Sequence, residues 1–471
     1  MLKKILICSM QKSTLFEIIA DFDRKEHKYI RNWLQSPIHN KRQDVSKLFD
    51  LLIKPKSNNV SKENLYHFIY PKTEYDDARM RQVMFFLQKE LENYLIYQAV
   101  QEDELFSVRT LAHVYQKKKL EKPFVKTMNK ANRLLKQYPY RNRHHLKYEH
   151  LLLQEEYDFT SARGRFQELN LQSLSDTLER NFLAEKLRHA CMMLSHARVF
   201  KKDYDTGLLS AVVEYVERRH WLDHPAISLY YYSYRALTET DRLWFELLLK
   251  DLDKWKTVLP NEEEREILLL AINFCIGKIN EGDKTYYQQV LPLYRKGVEE
   301  GTLLMNGQIS RYTFINIVSA ALHEKDYQWT ETLLKEYSHL LEERFRQSTV
   351  NLSYISLYYA RKKYKQAMRL INETIFDDIL MGLLAKSFLL KIYFELGESD
   401  VLESFIDSFL AYLRRKEVMV RHRKLYKTFA LSLKKIIRVD IDDKEGREKL
   451  RKEILELKIV AERDWLLGQL D

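Results

Sequence analysis

The sequence predicts an all-α protein in which helical hairpins stack into a superhelix behind an N-terminal helical module. Apolar residues recur at every third or fourth position along most of the chain, as on one face of a helix. Runs that alternate apolar and polar residues, which are typical of strands, are nearly absent. Only 11 glycines and 8 prolines occur among 471 residues, although sheets and phosphate loops use glycine at many turns. Long helices joined by short polar links are therefore expected.

The composition predicts a folded protein of a reducing compartment. Hydrophobic residues make up 45% of the chain and charged residues 31%, which provides enough apolar material for a core. The three cysteines, Cys8, Cys191 and Cys275, are widely spaced and favour neither a disulfide framework nor a zinc site. The apolar run that ends at Cys8 is short for a signal peptide, and no long uncharged apolar stretch follows it. We therefore expect a cytoplasmic protein without a membrane segment.

The net charge of +11 is distributed unevenly along the chain. It sums to +12 over residues 1–150 and to +8 over 411–440, but to −7 over 151–410 and −2 over 441–471. Two basic regions therefore flank an acidic middle. This arrangement predicts attraction of an acidic polymer, and it also allows the acidic middle of one copy to associate with the basic ends of another.

The first hundred residues predict a module of short helices. Residues 22–54 form two helical patterns that are broken at Ser36-Pro37. Ser61 is a plausible N-cap of a helix that ends at Tyr70-Pro71, and Asp76-Asp77 can start a longer helix.

The segment 60–95 resembles the helix-turn-helix of winged-helix bacterial transcriptional activators, in which such a domain precedes a tetratricopeptide array. The resemblance implies that the longer helix reads DNA through Arg79, Arg81 and Lys89. The segment departs from that family because helices precede it and because no β-hairpin wing follows Leu95. A helical packing module is the alternative. The residues that carry the resemblance are Ser61, Lys62, Leu65, Tyr70, Pro71, Ala78, Arg79, Arg81, Leu87 and Leu91.

Three consecutive segments read as helical hairpins, over residues 314–337, 351–376 and 389–410. Their second helices are predicted to begin at Tyr327, Tyr364 and Ser399, which are 37 and 35 residues apart. A period in the mid-thirties is typical of helix-turn-helix solenoids.

Residues 168–438 resemble tetratricopeptide-repeat proteins. Tyr364 and Ala367 follow the order of that family's second helix, Tyr327 opens a looser match, and Tyr358 and Tyr393 stand in the aromatic slot of the first helix. The resemblance implies a right-handed superhelix whose concave face binds a peptide or protein. We predict an N-terminal module over 1–100, a repeat array over 101–440 and a charged helix over 441–471.

The strongest surface signal is a basic stripe on the helix predicted near 121–138. Lys122, Lys126, Lys130 and Arg133 share one helical face. Arg141 and Arg143 follow and extend the candidate set for polyanion binding. A solvated face of an amphipathic helix is the alternative. A second basic stretch covers residues 414–438, with a charged edge of the array as its alternative.

No catalytic pattern stands out. The G-x-S-x-G, P-loop and Rossmann fingerprints do not occur. The two Glu-x-x-His pairs, Glu217 with His220 and Glu336 with His339, match chance expectation. We expect no enzyme activity, cofactor, metal or small-molecule substrate. The predicted function is a scaffold or adaptor that binds a protein partner. The alternative is a nucleic-acid-associated regulator that uses the helix-turn-helix-like segment or the basic helix 117–147.

Overall fold

The computed structural model describes residues 13–54, 61–163, 168–200, 202–219, 221–239, 241–376, 378–415, 420–440 and 442–471. Within these ranges the chain forms α-helices, short 3-10 turns and two isolated β-bridges, and it forms no strand. The all-α prediction is confirmed. None of the helices in these ranges combines the length and the apolar character that crossing a bilayer requires.

The chain divides into two compact units. Unit 1 comprises Met1–Tyr138 and Lys147–Thr177, and unit 2 comprises Pro139–Leu146 and Leu178–Asp471. The first nine described helices are α1 (Thr14–Asp21), α2 (Arg24–Gln35), α3 (Gln43–Leu52), α4 (Lys62–Ile69), α5 (Asp77–Glu102), α6 (Glu104–Lys117), α7 (Glu121–Gln137), α8 (Arg143–Ser161) and α9 (Leu171–Phe200). Helices α1 to α7 belong to unit 1. Helix α8 begins in unit 2 and continues in unit 1, and α9 begins in unit 1 and continues in unit 2.

Helices α1 to α5 share one core, and local capping sets several of their ends. Ser61 accepts a hydrogen bond from the backbone N–H of Asn64, and Asp76 accepts one from that of Arg79. Both predicted caps are thus confirmed, as is the break at Ser36. The core of this region is formed by fully buried side chains, among them Ile30, Val45, Leu48, Phe49, Met80, Val83, Leu87 and Leu91.

Unit 2 contains all the described helices that follow α9, and it contains three apolar clusters. The helices are α10 (Leu209–Arg219), α11 (Pro225–Thr238), α12 (Arg242–Trp255), α13 (Asn261–Glu281), α14 (Tyr287–Glu299), α15 (Arg311–His323), α16 (Tyr327–Glu336), α17 (Glu343–Ala360), α18 (Tyr364–Glu373), α19 (Ile379–Glu395), α20 (Ser399–Arg415), α21 (Val420–Arg438), α22 (Lys444–Glu456) and α23 (Arg463–Gly468). Helix α15 packs against α17, and α17 packs against α19, so that the first helices of successive hairpins are neighbours.

The hairpin joints in unit 2 share one backbone conformation. Helices α16, α18 and α20 begin at Tyr327, Tyr364 and Ser399, as predicted. Two residues before each start, one residue has a left-handed φ: Lys325 (57°), Lys362 (56°) and Gly397 (73°). The next backbone N–H then donates to the carbonyl five residues earlier, at 2.8 to 3.0 Å. This is the Schellman arrangement, which satisfies carbonyls at a helix C-terminus.

The predicted C-terminal helix is interrupted, and the expectation of one helix over 441–471 was wrong in this respect. Helix α22 ends at Glu456 and α23 begins at Arg463. Glu462 has a left-handed φ of 53°, and its carboxylate pairs with the buried ammonium of Lys391 at 2.9 Å. The break also allows Leu466 to be fully buried in the last cluster. Glu462 therefore stands directly before α23, and its charge partner lies on α19.

The segment 139–146 is held in unit 2 by polar contacts. The backbone N–H of Arg141 donates to the carbonyl of Val258 at 2.8 Å, and the side chain of Asn142 accepts from the backbone N–H of His145 at 3.1 Å. Burial is the main reason that the pKa values of His145 and His224 are lowered to about 4, with Arg141 and Arg180 adding to the effect. The folded chain therefore keeps both imidazoles neutral at neutral pH.

Replacement of Gly397 by alanine is expected to destabilise the chain by about 1 kcal/mol, because a Cβ is unfavourable at a left-handed φ. The added Cβ meets no atom within 4 Å, so that the backbone conformation is the whole cause. Urea unfolding measures the change. Gly468→Ala is the matched control, since its Cβ also meets open space and its φ is not left-handed. Equal stability of the two variants would contradict the assignment of the joint.

Replacement of His224 by asparagine is expected to reduce acid sensitivity. Between about pH 6.5 and pH 4 the unfolded imidazole binds a proton that the folded one excludes, so that the free energy of unfolding falls as the pH falls. One such group contributes up to about 1.4 kcal/mol per pH unit. Nδ1 of His224 accepts from the backbone N–H of Ala226 at 3.2 Å, and asparagine preserves this cap.

Urea midpoints of the wild type and of His224→Asn, measured across this pH window, test the expectation. The free energy of unfolding of the variant should depend less steeply on pH, because about one proton fewer is bound on unfolding. Parallel curves would show that His224 titrates normally in the folded chain.

Candidate nucleic-acid interface

Helix α7 is placed by its joint with α6 and by its apolar face. Lys119 has a left-handed φ of 56°, and α7 begins two residues later, as at the joints of unit 2. Pro123 lies in the first turn, where a backbone N–H has no acceptor within the helix, so that proline removes no helical hydrogen bond. Phe124, Met128 and Ala131 are buried in a cluster shared with α6 and α8. The polar face of α7 is consequently turned outward.

The basic stripe lines a groove, which we call the α7 groove. Its volume is about 790 Å³, and most of its wall is the outward face of α7, with one tyrosine contributed by α6. The structure therefore brings together four of the six residues predicted to bind a polyanion. The groove is lined by Tyr115, Lys122, Pro123, Lys126, Thr127, Asn129, Lys130 and Arg133.

The charges in the groove are poorly compensated. Lys130 pairs with Glu104 at 2.7 Å. Within the described ranges, no carboxylate lies within 4 Å of the side-chain nitrogens of Lys122, Lys126 or Arg133. All four cations are exposed. The groove therefore presents a row of positive charge to solvent, as an anionic ligand requires.

Arg141 and Arg143, the other two predicted polyanion residues, lie in the segment of unit 2 described above and do not line the α7 groove. The guanidinium of Arg143 pairs with Glu185 at 3.3 Å, and that of Arg141 donates to the carbonyl of Tyr140 at 3.1 Å. Arg143 thus joins its segment to α9 through Glu185, whereas the guanidinium of Arg141 contacts the adjacent residue.

The residues predicted to read DNA lie on α5, and two of them contact neighbouring side chains. The guanidinium of Arg79 lies 3.9 Å from the ring centre of Tyr70, and Arg81 pairs with Asp77 at 2.9 Å. Lys89 is exposed. A carboxylate oxygen of Asp77 also lies 3.8 Å from Nζ of Lys62, so that this carboxylate at the start of the helix contacts two cations. DNA reading by these residues stays a prediction.

The residues predicted to pack the repeats lie at the apolar clusters of unit 2. Ala367 is fully buried, and Tyr327, Tyr358, Tyr364 and Tyr393 are partly buried against these clusters. The carbonyls of Tyr358 and Tyr393 accept the hydrogen bonds that close the joints before α18 and α20.

The second basic stretch differs from the first in its partners. On α21, Lys434 pairs with Asp407 at 2.6 Å and Lys435 with Glu453 at 2.7 Å. Arg438 lies 3.4 Å from Glu403. These carboxylates come from α20 and α22, so that this stretch joins three helices. Residues 416–419 of the predicted stretch lie outside the described residues.

Other candidate groups give no site. In the described part of the chain, no cluster of three or more His, Cys, Asp or Glu side chains is arranged to hold a metal, and His220 lies outside it. Cys191 and Cys275 are buried in unit 2. Burial raises the pKa of Cys275 to about 12 and that of Cys191 further, which disfavours the reactive thiolates.

Sequence reasoning missed Tyr115, although a signal for it exists. Its carbonyl accepts from the backbone N–H of Leu120 at 2.9 Å, which is the role of Tyr358 and Tyr393 at their joints. Each of these tyrosines stands six residues before the start of the next helix. The α6–α7 hairpin therefore repeats the aromatic position found in the α17–α18 and α19–α20 hairpins of unit 2.

Comparison of the chain with protein-family models, with curated proteins and with solved structures found no match. Its function is therefore inferred from the geometry of the α7 groove and of the hairpins.

Proposed function

We propose that this chain is a non-catalytic binding protein that holds the phosphate backbone of a nucleic acid along the α7 groove. The observation that carries the proposal is the row of exposed cations in one groove, three of them without a carboxylate within 4 Å among the described residues. Lysine and arginine that contact phosphates release condensed counterions, so that affinity depends steeply on salt. Lysines that are paired with carboxylates, such as Lys434 and Lys435 of α21, have less to gain from such a ligand.

The double variant Lys122→Gln/Lys126→Gln is expected to weaken binding of labelled oligonucleotides at low salt. It should also reduce the slope of log K against log salt concentration by about 1.4 for single strands, because each lost phosphate contact removes about 0.7 from that slope. Fluorescence anisotropy between about 50 and 200 mM salt measures both effects. Glutamine is an unbranched polar residue with a helix propensity close to that of lysine, so that the helix should be preserved.

The matched control is Lys424→Gln/Lys427→Gln on α21, which removes the same charge from two exposed lysines outside the groove. We expect it to leave the slope unchanged. An equal loss in both double variants would show that net charge alone attracts the nucleic acid. Absence of any shift for single or double strands at low salt would remove the proposal.

A protein partner is the second candidate, and it is favoured by a different site. We propose that residues 311–415 form a tetratricopeptide-like array, supported by the three identical joints and by the contacts between successive first helices. A pocket of about 410 Å³ lies at the starts of α15 and α17. Met305 and Tyr312 line it and are 63% and 46% exposed. Exposed apolar side chains at a pocket favour a protein contact.

A photocrosslinking amino acid at position 305 is expected to capture a defined partner from native lysate, and Tyr312→Ala should reduce that capture. The same amino acid at Leu455, which is 53% exposed on α22, is the control for unspecific capture. The same products at both positions, or products insensitive to Tyr312→Ala, would contradict a binding role for this pocket.

A further inference from the structure

We infer that the α7 groove accepts a single-stranded nucleic acid and that Tyr115 stacks on one of its bases. The inference rests on the proposed nucleic-acid function and specifies the form of the ligand. Proteins that bind single strands combine a basic track for the backbone with aromatic side chains for the bases. The α7 groove contains both parts, one on each of two adjacent helices.

The aromatic side chain in the groove favours a single strand. Lys122 and Arg133 are eleven residues apart, which corresponds to about 16 Å along a helix, and Tyr115 lines the groove beside this row of cations. Stacking on an aromatic ring requires a base whose face is free, which a single strand offers and a paired, stacked duplex does not.

The spacing of the cations suits an extended backbone. Lys122, Lys126 and Lys130 follow each other at steps of four residues, or about 6 Å of helical rise. Neighbouring phosphates of an extended strand are separated by a comparable distance, so that each cation can face its own phosphate. A strand that follows the stripe therefore runs parallel to the α7 axis.

Tyr115 is positioned to contact a base of such a strand. Its side chain is partly buried against the α6–α7 cluster and also lines the groove. Its backbone is fixed by the hydrogen bond from Leu120 that closes the joint. A ring held in this way loses little conformational freedom when a base stacks on it. Stacking on an aromatic ring tolerates any base.

The polar groups of the groove predict weak sequence preference. Asn129 is exposed and lines the groove, and its amide can both donate to and accept from a base edge. Thr127, which also lines the groove, is 9% exposed. One amide cannot specify a run of bases, because specific readout uses several paired contacts. The groove is consequently suited to general binding of single strands.

The test compares Tyr115→Leu with Tyr115→Phe by fluorescence anisotropy with labelled oligo(dT), a hairpin duplex of equal phosphate number, and poly-aspartate. Tyr115→Leu is expected to weaken oligo(dT) binding about tenfold, since stacking of one base contributes that order of affinity. It should leave the salt slope unchanged, because the cations remain. Tyr115→Phe should retain affinity within about twofold, because the ring remains.

The outcomes separate this inference from the function on which it rests. If the duplex binds as tightly as oligo(dT), or if Tyr115→Leu binds like the wild type, the single-strand inference is overturned. The nucleic-acid function then stands as long as Lys122→Gln/Lys126→Gln flattens the salt slope. If poly-aspartate binds as tightly as oligo(dT), or if the lysine variant changes nothing, the nucleic-acid function fails as well. Melting curves of both Tyr115 variants exclude unfolding as the cause.

Discussion

The hairpins of this protein depend on a tight joint in which one residue adopts a left-handed backbone conformation. The conformation reverses the chain within three residues and satisfies the last carbonyls of the first helix through the bond from five residues later. Three of these positions carry lysine and not glycine, at residues 119, 325 and 362. Left-handed lysine is unfavourable by about 1 kcal/mol, so that the packing of the two helices must maintain the joint.

The joint also determines what each hairpin presents to solvent. In the α6–α7 hairpin it brings the apolar face of α7 onto α6, where Phe124 and Met128 are buried. The basic stripe must then face outward. It also places Tyr115, whose carbonyl closes the joint, beside that stripe. The candidate site is therefore a direct consequence of how the hairpin closes.

Local sequence signals predicted much of the fold, and distant contacts account for the differences. The starts at Tyr327, Tyr364 and Ser399 and the caps at Ser61 and Asp76 depend on neighbouring residues, so that one sequence suffices to find them. At the break before α23, Glu462 has a left-handed φ and pairs with the distant Lys391, and no local pattern indicates this contact. The stripe on α7 was visible from helical spacing. The backbone N–H of Arg141 donates to the carbonyl of Val258, which is distant in sequence, and helical spacing does not indicate this contact.

The two basic stretches show why charge composition alone does not identify a binding surface. On α21, Lys434 and Lys435 contact carboxylates that neighbouring helices supply. On α7, among the described residues, Glu104 is paired with one cation of the stripe, Lys130. Like charges four residues apart destabilise a helix by about 0.2–0.5 kcal/mol per pair, so that the α7 stripe lowers the stability of its own helix. Packing does not require this arrangement, because the apolar face of α7 lies on another side. An anionic ligand relieves the repulsion, and the free energy recovered in this way adds to its affinity.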